Sequence, residues 1–373
     1  METKLQVTSY KVLGKLPDVF TMDNGEKLTD PAKWSERRAE IYKTAVELQY
    51  GTMPPAPEFL EIETLYVSKG SNSYKITTGP KSHPVSFRMQ VFHPDAEKYP
   101  VVVDGDGCFA YSTHTDFVST MTENGIAFAL FDRTELAHDI KGEGRRHGQL
   151  YEAYPEYTFG ALGAWAWGYS RCVDALLKLE LIDPDMIVFS GHSRGGKTAM
   201  LAGVLDERAA IVNPNDTNAG SCSCYRIHMT ALNEKGEDKK SETLADIIAK
   251  FGFWFGEGMA EYIECEENLP FDCHFLKAMV APRTLFISEA VHDIWGNPLG
   301  SWMTTMAAKE VYDFLGAKDN LYWYFRDGRH KHDLEDIQML VNLIKHKKDG
   351  TPLNENFFRR PFDEPELIFD KRS

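Results

Sequence analysis

Apolar residues along the chain change their period in a way that separates strands from helices. Between residues 60 and 131 they come in short runs bounded by polar turns, and strands are expected near 62–67, 74–77, 86–92, 101–104 and 126–131. Ahead of them Asp30-Pro31 opens a helix with Trp34, Ile41, Ala45 and Leu48 on one face, the proline sitting in the first turn. Beyond residue 131 strand-like and helix-like patterns alternate. Met186-Ile187-Val188-Phe189 reads as a strand, Lys197 to Leu205 as a helix, Thr284 to Ser288 and Leu321 to Phe325 as strands, and a final helix begins near Asp333. This alternation predicts an α/β fold, with a mostly parallel central sheet and helices on both faces in a three-layer sandwich. Trp165 and Trp167 lie in an Ala/Trp/Gly helical run and are expected to be core.

No Gly/Ser- or Pro-rich linker and no repeat divides the 373 residues. The expectation is one domain over 1–373, with a helical and strand extension over about 1–60 and an insertion over about 221–274. The insertion exceeds an ordinary connection, and long insertions after core strands tend to shape binding sites, so it should wall a pocket.

Composition narrows the function. A content of 43% apolar residues supports a large core, and a formal charge of −15 argues against nucleic acid as a partner. No stretch is apolar for long enough to span a membrane. The segment from Met1 to Tyr10 is polar and mixed, without a secretory signal. The expected location is cytoplasmic, or secreted if a native signal peptide lies outside this sequence. Six scattered cysteines do not make a disulfide framework and are expected to be reduced thiols.

The chemistry centres on Gly191-His192-Ser193-Arg194-Gly195. Strand, sharp turn and helix around G-x-S-x-G form the nucleophile elbow of an α/β-hydrolase, and the glycines spare the crowded turn two side chains. A serine hydroxyl needs an imidazole to take its proton and a carboxylate to fix that imidazole, in the chain order Ser, acid, His. His330, just past a late strand, is the preferred base over His332. The His330-x-His332 pair lacks a convincing third and fourth ligand for a metal. Two acids compete. Asp216 follows the strand after the elbow helix, and Asp293 follows the strand Thr284 to Ser288, the usual location in this fold. No metal or organic cofactor is required.

Several further blocks make the resemblance more specific. They are Leu16-Pro17-Asp18, Tyr50-Gly51-Thr52-Met53-Pro54-Pro55, Gly163-Ala164-Trp165-Ala166-Trp167-Gly168-Tyr169-Ser170-Arg171, Leu269-Pro270-Phe271-Asp272-Cys273-His274 and Ala281-Pro282-Arg283. With the elbow they resemble the bacterial branch of the glucuronoyl esterases, carbohydrate esterase family 15, from near residue 15 to near residue 345. The resemblance implies Ser193 as nucleophile, His330 as base, Arg194 in the oxyanion site, Lys197 on sugar hydroxyls, Trp295 lining the sugar site and Glu242 near the uronate. It favours Asp216 as the triad acid, with Asp293 in reserve. Asp104-Gly105-Asp106-Gly107 and Lys250 depart from the family pattern. The implied activity is hydrolysis of carbohydrate esters, of the 4-O-methyl-glucuronoyl type in lignin–xylan linkages, through an acyl-enzyme. The alternatives are an acetylxylan esterase or other carbohydrate deacylase, and a non-catalytic carbohydrate-binding relative.

Overall fold

The computed structural model describes residues 4–372. A nine-stranded sheet is built from β2 (Phe59–Ser68), β3 (Ser71–Gly79), β4 (Val85–Phe92), β5 (Tyr99–Asp104), β6 (Ala127–Phe131), β7 (Ile182–His192), β8 (Ile211–Asn215), β11 (Thr284–Ala290) and β12 (Leu321–Arg326). Its order is β12-β11-β8-β7-β5-β6-β4-β3-β2. The strands from β5 and β6 through to β12 pair in parallel, whereas β2, β3 and β4 add an antiparallel edge. Strands β5, β6, β8 and β11 are buried along their whole length, as parallel strands covered on both faces must be.

Alternation along each strand divides the core in two. Val101, Val103, Phe189, Val212 and Leu285 pack against the helices Ala161–Lys178, Arg194–Leu205 and Cys273–Val280. Their neighbours Val102, Val188, Ile211 and Phe286 face the opposite layer, with Phe117 and Met121 of helix Thr115–Glu123 and Ile337, Leu340 and Ile344 of helix Leu334–Asp349. This is the three-layer α/β-hydrolase arrangement. Trp165 and Trp167 are buried in the first layer, and Trp165 Nε1 donates to the Ala137 carbonyl.

A second, three-stranded antiparallel sheet has β9 (Ile227–Leu232) between β1 (Val7–Val12) and β10 (Asp238–Lys240). It joins the start of the chain to the long segment after β8. The segment continues through helix Leu244–Phe251, capped by Thr243 and Asp246 in a reciprocal capping box. Arg226 anchors its far end by donating to the carbonyls of Glu267, Leu269 and Phe271 and by an ion pair with Asp272 at 3.1 Å. The helix expected from Pro31 begins as a tight turn, Pro31–Lys33, and its middle, Tyr42–Glu47, widens to a π-helix. All six cysteines are unpaired.

Candidate active site

The site forms beyond the carboxyl ends of the parallel strands, where open α/β sheets bind ligands. β7 runs straight into the elbow, and Ser193 sits at φ 57°, ψ −115° at the start of helix Arg194–Leu205. Both elbow glycines are sterically required. A Cβ on Gly191 would lie 2.6 Å from the Gly195 backbone, and one on Gly195 would lie 2.2 Å from the Asp106 carboxylate. The Ser193 amide donates to the Asn215 carbonyl at 2.9 Å, tying the turn to the end of β8.

His330 lies on the loop after β12. Its Nε2 is 2.9 Å from Ser193 Oγ and its Nδ1 2.7 Å from Asp293 Oδ2. Asp293 is buried just after β11 and caps the short turn Ile294–Gly296, accepting from the Gly296 amide at 3.3 Å. His332 is buried two residues further on, away from this line of hydrogen bonds.

The expectation that Asp216 is the main partner of His330 is corrected by this geometry. The chain leaves β8 in a left-handed turn at Asp216, φ 45°, which aims the carboxyl at the end of β11. There Oδ1 accepts from the Ala290 amide, while Oδ2 lies 3.5 Å from Arg326 with no hydrogen bond. Arg326 bonds Asp336 instead, at 3.1–3.2 Å. Burial therefore dominates at Asp216, and it pushes the carboxyl well above the usual range, helped by the charges of Asp293 and Asp336.

The remaining expected residues lie on the elbow helix, Arg194 and Lys197, or close to Asp293, where the Glu242 amide donates to the Trp295 carbonyl at 2.9 Å. Arg194 pairs with Asp139 at 2.9 Å, and its guanidinium lies 5.1–5.9 Å from the ring centres of Phe109, Phe251 and Trp254. Trp254 Nε1 donates to the other Asp139 oxygen at 3.0 Å, so the acid fixes both. Lys197 is buried, donates to the Thr217 carbonyl and has its ammonium pKa lowered by burial against the pull of Glu242. Glu242 is buried too, and burial pushes its carboxyl up although Lys197 opposes the shift. Its Oε2 has no partner. Trp295 is half-buried, with the Lys250 ammonium 4.1 Å from its ring centre.

Sequence reasoning missed Asp106, Asp139 and Asn215 as organisers of the site. Asp106 is fully buried and accepts from the His192 amide at 2.9 Å, from Tyr111 Oη at 2.7 Å and from Arg133. Its signal was the acid pair Asp104 and Asp106 directly after an apolar strand.

Among the described residues, His192, Asp216 and His330 bring ligand-type atoms within 4.8 Å of one another. They fit a metal poorly. Both His330 nitrogens are engaged, His192 Nδ1 is bonded to Asn215 Oδ1 at 2.6 Å, and Arg326 stands beside Asp216. No helix among the described residues is long and apolar enough to cross a membrane.

A family model described as glucuronyl esterase, fungi, matches residues 75–316. The 4-O-methyl-glucuronoyl methylesterase of Podospora anserina is 32% identical over 361 residues, covering 93% of this chain and 71% of its own. That of Schizophyllum commune is 29% identical over 338 residues, covering 89% and 81%. A family 15 glucuronoyl esterase from Caldicellulosiruptor kristjansonii superposes with a TM-score of 0.83 at 29% identity over 96% of each chain. The glucuronoyl esterase catalytic domain from Hypocrea jecorina gives 0.76 at 27% identity over 95% of each.

Proposed function

The chain belongs to the glucuronoyl esterase family of serine carboxylic-ester hydrolases, and from that membership we propose that it cleaves 4-O-methyl-glucuronoyl esters with Ser193, His330 and Asp293 as its triad. The observation that carries the triad is the unbroken line Asp293 Oδ2, His330, Ser193 Oγ at 2.7 and 2.9 Å.

His330 takes the Ser193 proton as Oγ attacks the ester carbonyl, and Asp293 holds the ring with its Nδ1 proton inward. Negative charge gathers on the carbonyl oxygen. The first-turn amides of the elbow helix have no intrahelical acceptor and, with Arg194, stabilise that oxygen, each good donor contributing roughly 3–4 kcal/mol. His330 passes its proton to the leaving alcohol. Water then attacks the acyl-enzyme with His330 again as base, releasing the uronic acid and restoring Ser193.

Glu242, with a free buried oxygen, and Lys197 beside it supply an acceptor and a cation for the uronate, and the half-buried Trp295 supplies an apolar face for its C–H groups. A paired assay tests the substrate. A methyl or benzyl glucuronate ester should turn over at least ~10²-fold faster in kcat/KM than an acetylated xylo-oligosaccharide, well within the ~10⁴–10⁵-fold by which a site built for hydrogen bonding rejects a ligand lacking the partner groups. The reverse preference would make the protein a deacetylase.

A further inference from the structure

We propose that His192, the residue before the nucleophile, is a positioning residue that forms a ring stack with His332 and holds the His330 imidazole on its line between Asp293 and Ser193. The proposal rests on His330 being the catalytic base.

The rings form a continuous column. The centroid of His192 lies 4.8 Å from that of His330, tilted by 38°, and 5.3 Å from that of His332, nearly parallel at 6°. His332 is wedged edge-on against Phe117 at 5.1 Å and Tyr111 at 5.8 Å, and Tyr111 also meets the His192 ring edge-on at 6.0 Å. The column thus rests on helix Thr115–Glu123 and the loop after β5. Asp106 locks it, accepting from both the His192 amide and Tyr111 Oη.

His330 has need of lateral support. Its side chain is 37% exposed, and its loop is tied from beneath, where Arg326 donates to the Arg329 and Lys331 carbonyls. Gly328 in that loop is at φ 144°, a conformation that favours glycine. Rotation of the ring would break both of its hydrogen bonds at once.

The column is also electrically suited to its place. Asn215 donates its amide nitrogen to Ser288 and so turns Oδ1 to His192, which makes Nδ1 the protonated nitrogen of a neutral ring. Burial lowers the pKa of His192 well below the usual value. His332 and His330 add to the shift, while Asn215 and Asp106 oppose it. His332 is lowered to about 3 by burial and Arg326, against Asp333. When His330 accepts the serine proton, the rings packed behind it carry no competing charge.

The test compares His192→Ala, His192→Asn and His192→Phe with Ser193→Ala and His330→Ala on a glucuronate ester. Asn keeps the hydrogen bond to Asn215 and loses the stack, whereas Phe keeps the ring. Ala and Asn should each lower kcat about tenfold to a hundredfold, the scale of a small misplacement of a reacting group, with KM within about twofold. Phe should restore kcat to within about fivefold of the parent. The far-downfield proton resonance of the His330–Asp293 bond should broaden in the Ala and Asn variants and stay sharp in the Phe variant. If His192→Ala does not fold, the Asn variant carries the same expectation. Full kcat with an intact resonance in the Ala or Asn variant overturns the proposal, as does a Phe variant no better than Asn. Activity surviving in Ser193→Ala or His330→Ala would instead overturn the triad itself, which keeps the two failures apart.

Discussion

At Asp293 a buried carboxylate meets His330 Nδ1 at 2.7 Å, whereas the Asp216 carboxyl, also buried, turns to the Ala290 amide. Asp293→Asn should therefore cost at least ~10²-fold and up to ~10⁴-fold in kcat, because an amide fixes the wrong tautomer. Asp216→Asn should stay within about threefold, because burial already holds that carboxyl toward the neutral form that Asn imitates. Measured kcat/KM for both single variants and the double variant checks this. A large loss in Asp216→Asn with Asp293→Asn near the parent would return the role to Asp216. Ser193→Ala and His330→Ala should each lose at least ~10³-fold in kcat with the fold intact, since the triad acts as a unit. Burst kinetics on an activated ester, with the circular dichroism of each variant alongside, measures that. The elbow was legible in the sequence because steric crowding leaves few choices at Gly191 and Gly195. The acid was not. Both candidates end a strand, and what separates them is one left-handed backbone torsion at Asp216 that no residue pattern displays.

Elements show the same division. β5, β6 and β11 were readable as apolar runs because both faces are covered, whereas β8, Ile211–Asn215, is buried as well but ends in Asn213-Pro214-Asn215, which reads as a loop. β1 and β10 were not, because they are almost wholly exposed and are specified by pairing with β9. Three elements also meet at a buried polar cluster that the catalytic line does not use. Glu289 on β11 accepts from Ser301 Oγ at 2.6 Å on helix Pro298–Phe314. Lys277 on helix Cys273–Val280 donates to the Ser301 carbonyl at 2.8 Å and to the hydroxyls of Thr304 and Thr305 at 2.9 and 2.8 Å. Burial pushes the Glu289 carboxyl from 4.5 to about 7, although Lys277 opposes the shift. The folded state then holds the proton more tightly than the unfolded state. Glu289's contribution to stability is complete below about pH 4.5 and is lost as pH rises through about 7. Glu289→Gln has no such proton to lose, so the variant should gain on the parent by roughly 2–3 kcal/mol between pH 5 and pH 8. Urea midpoints of both proteins at the two pH values measure the gain, and a difference independent of pH would contradict it.

Over the whole molecule the charge of −15 sets the long-range field, and it opposes the local site. Arg194 and Lys197 on the elbow helix and Lys250 over Trp295 are the basic groups near the triad. Each acts over a few ångströms. Lys197 is buried, Arg194 is paired with Asp139, and Lys250 rests on Trp295, so little of their charge reaches beyond the site. A polymer carrying free uronates beside its ester approaches a net like charge until it reaches the triad. A small neutral methyl ester meets no such barrier. Repulsion between the enzyme and the polymer is screened over a Debye length of about 10 Å at 0.1 M salt, and it slows encounter more than it weakens the bound complex. Raising salt from about 0.01 to about 0.3 M should therefore raise kcat/KM on an acidic glucuronoxylan ester severalfold and leave kcat nearly unchanged. On the neutral methyl ester kcat/KM should stay within about twofold. A fall in kcat/KM on the polymer over the same range would mean that the local cations, rather than the net charge, govern its approach.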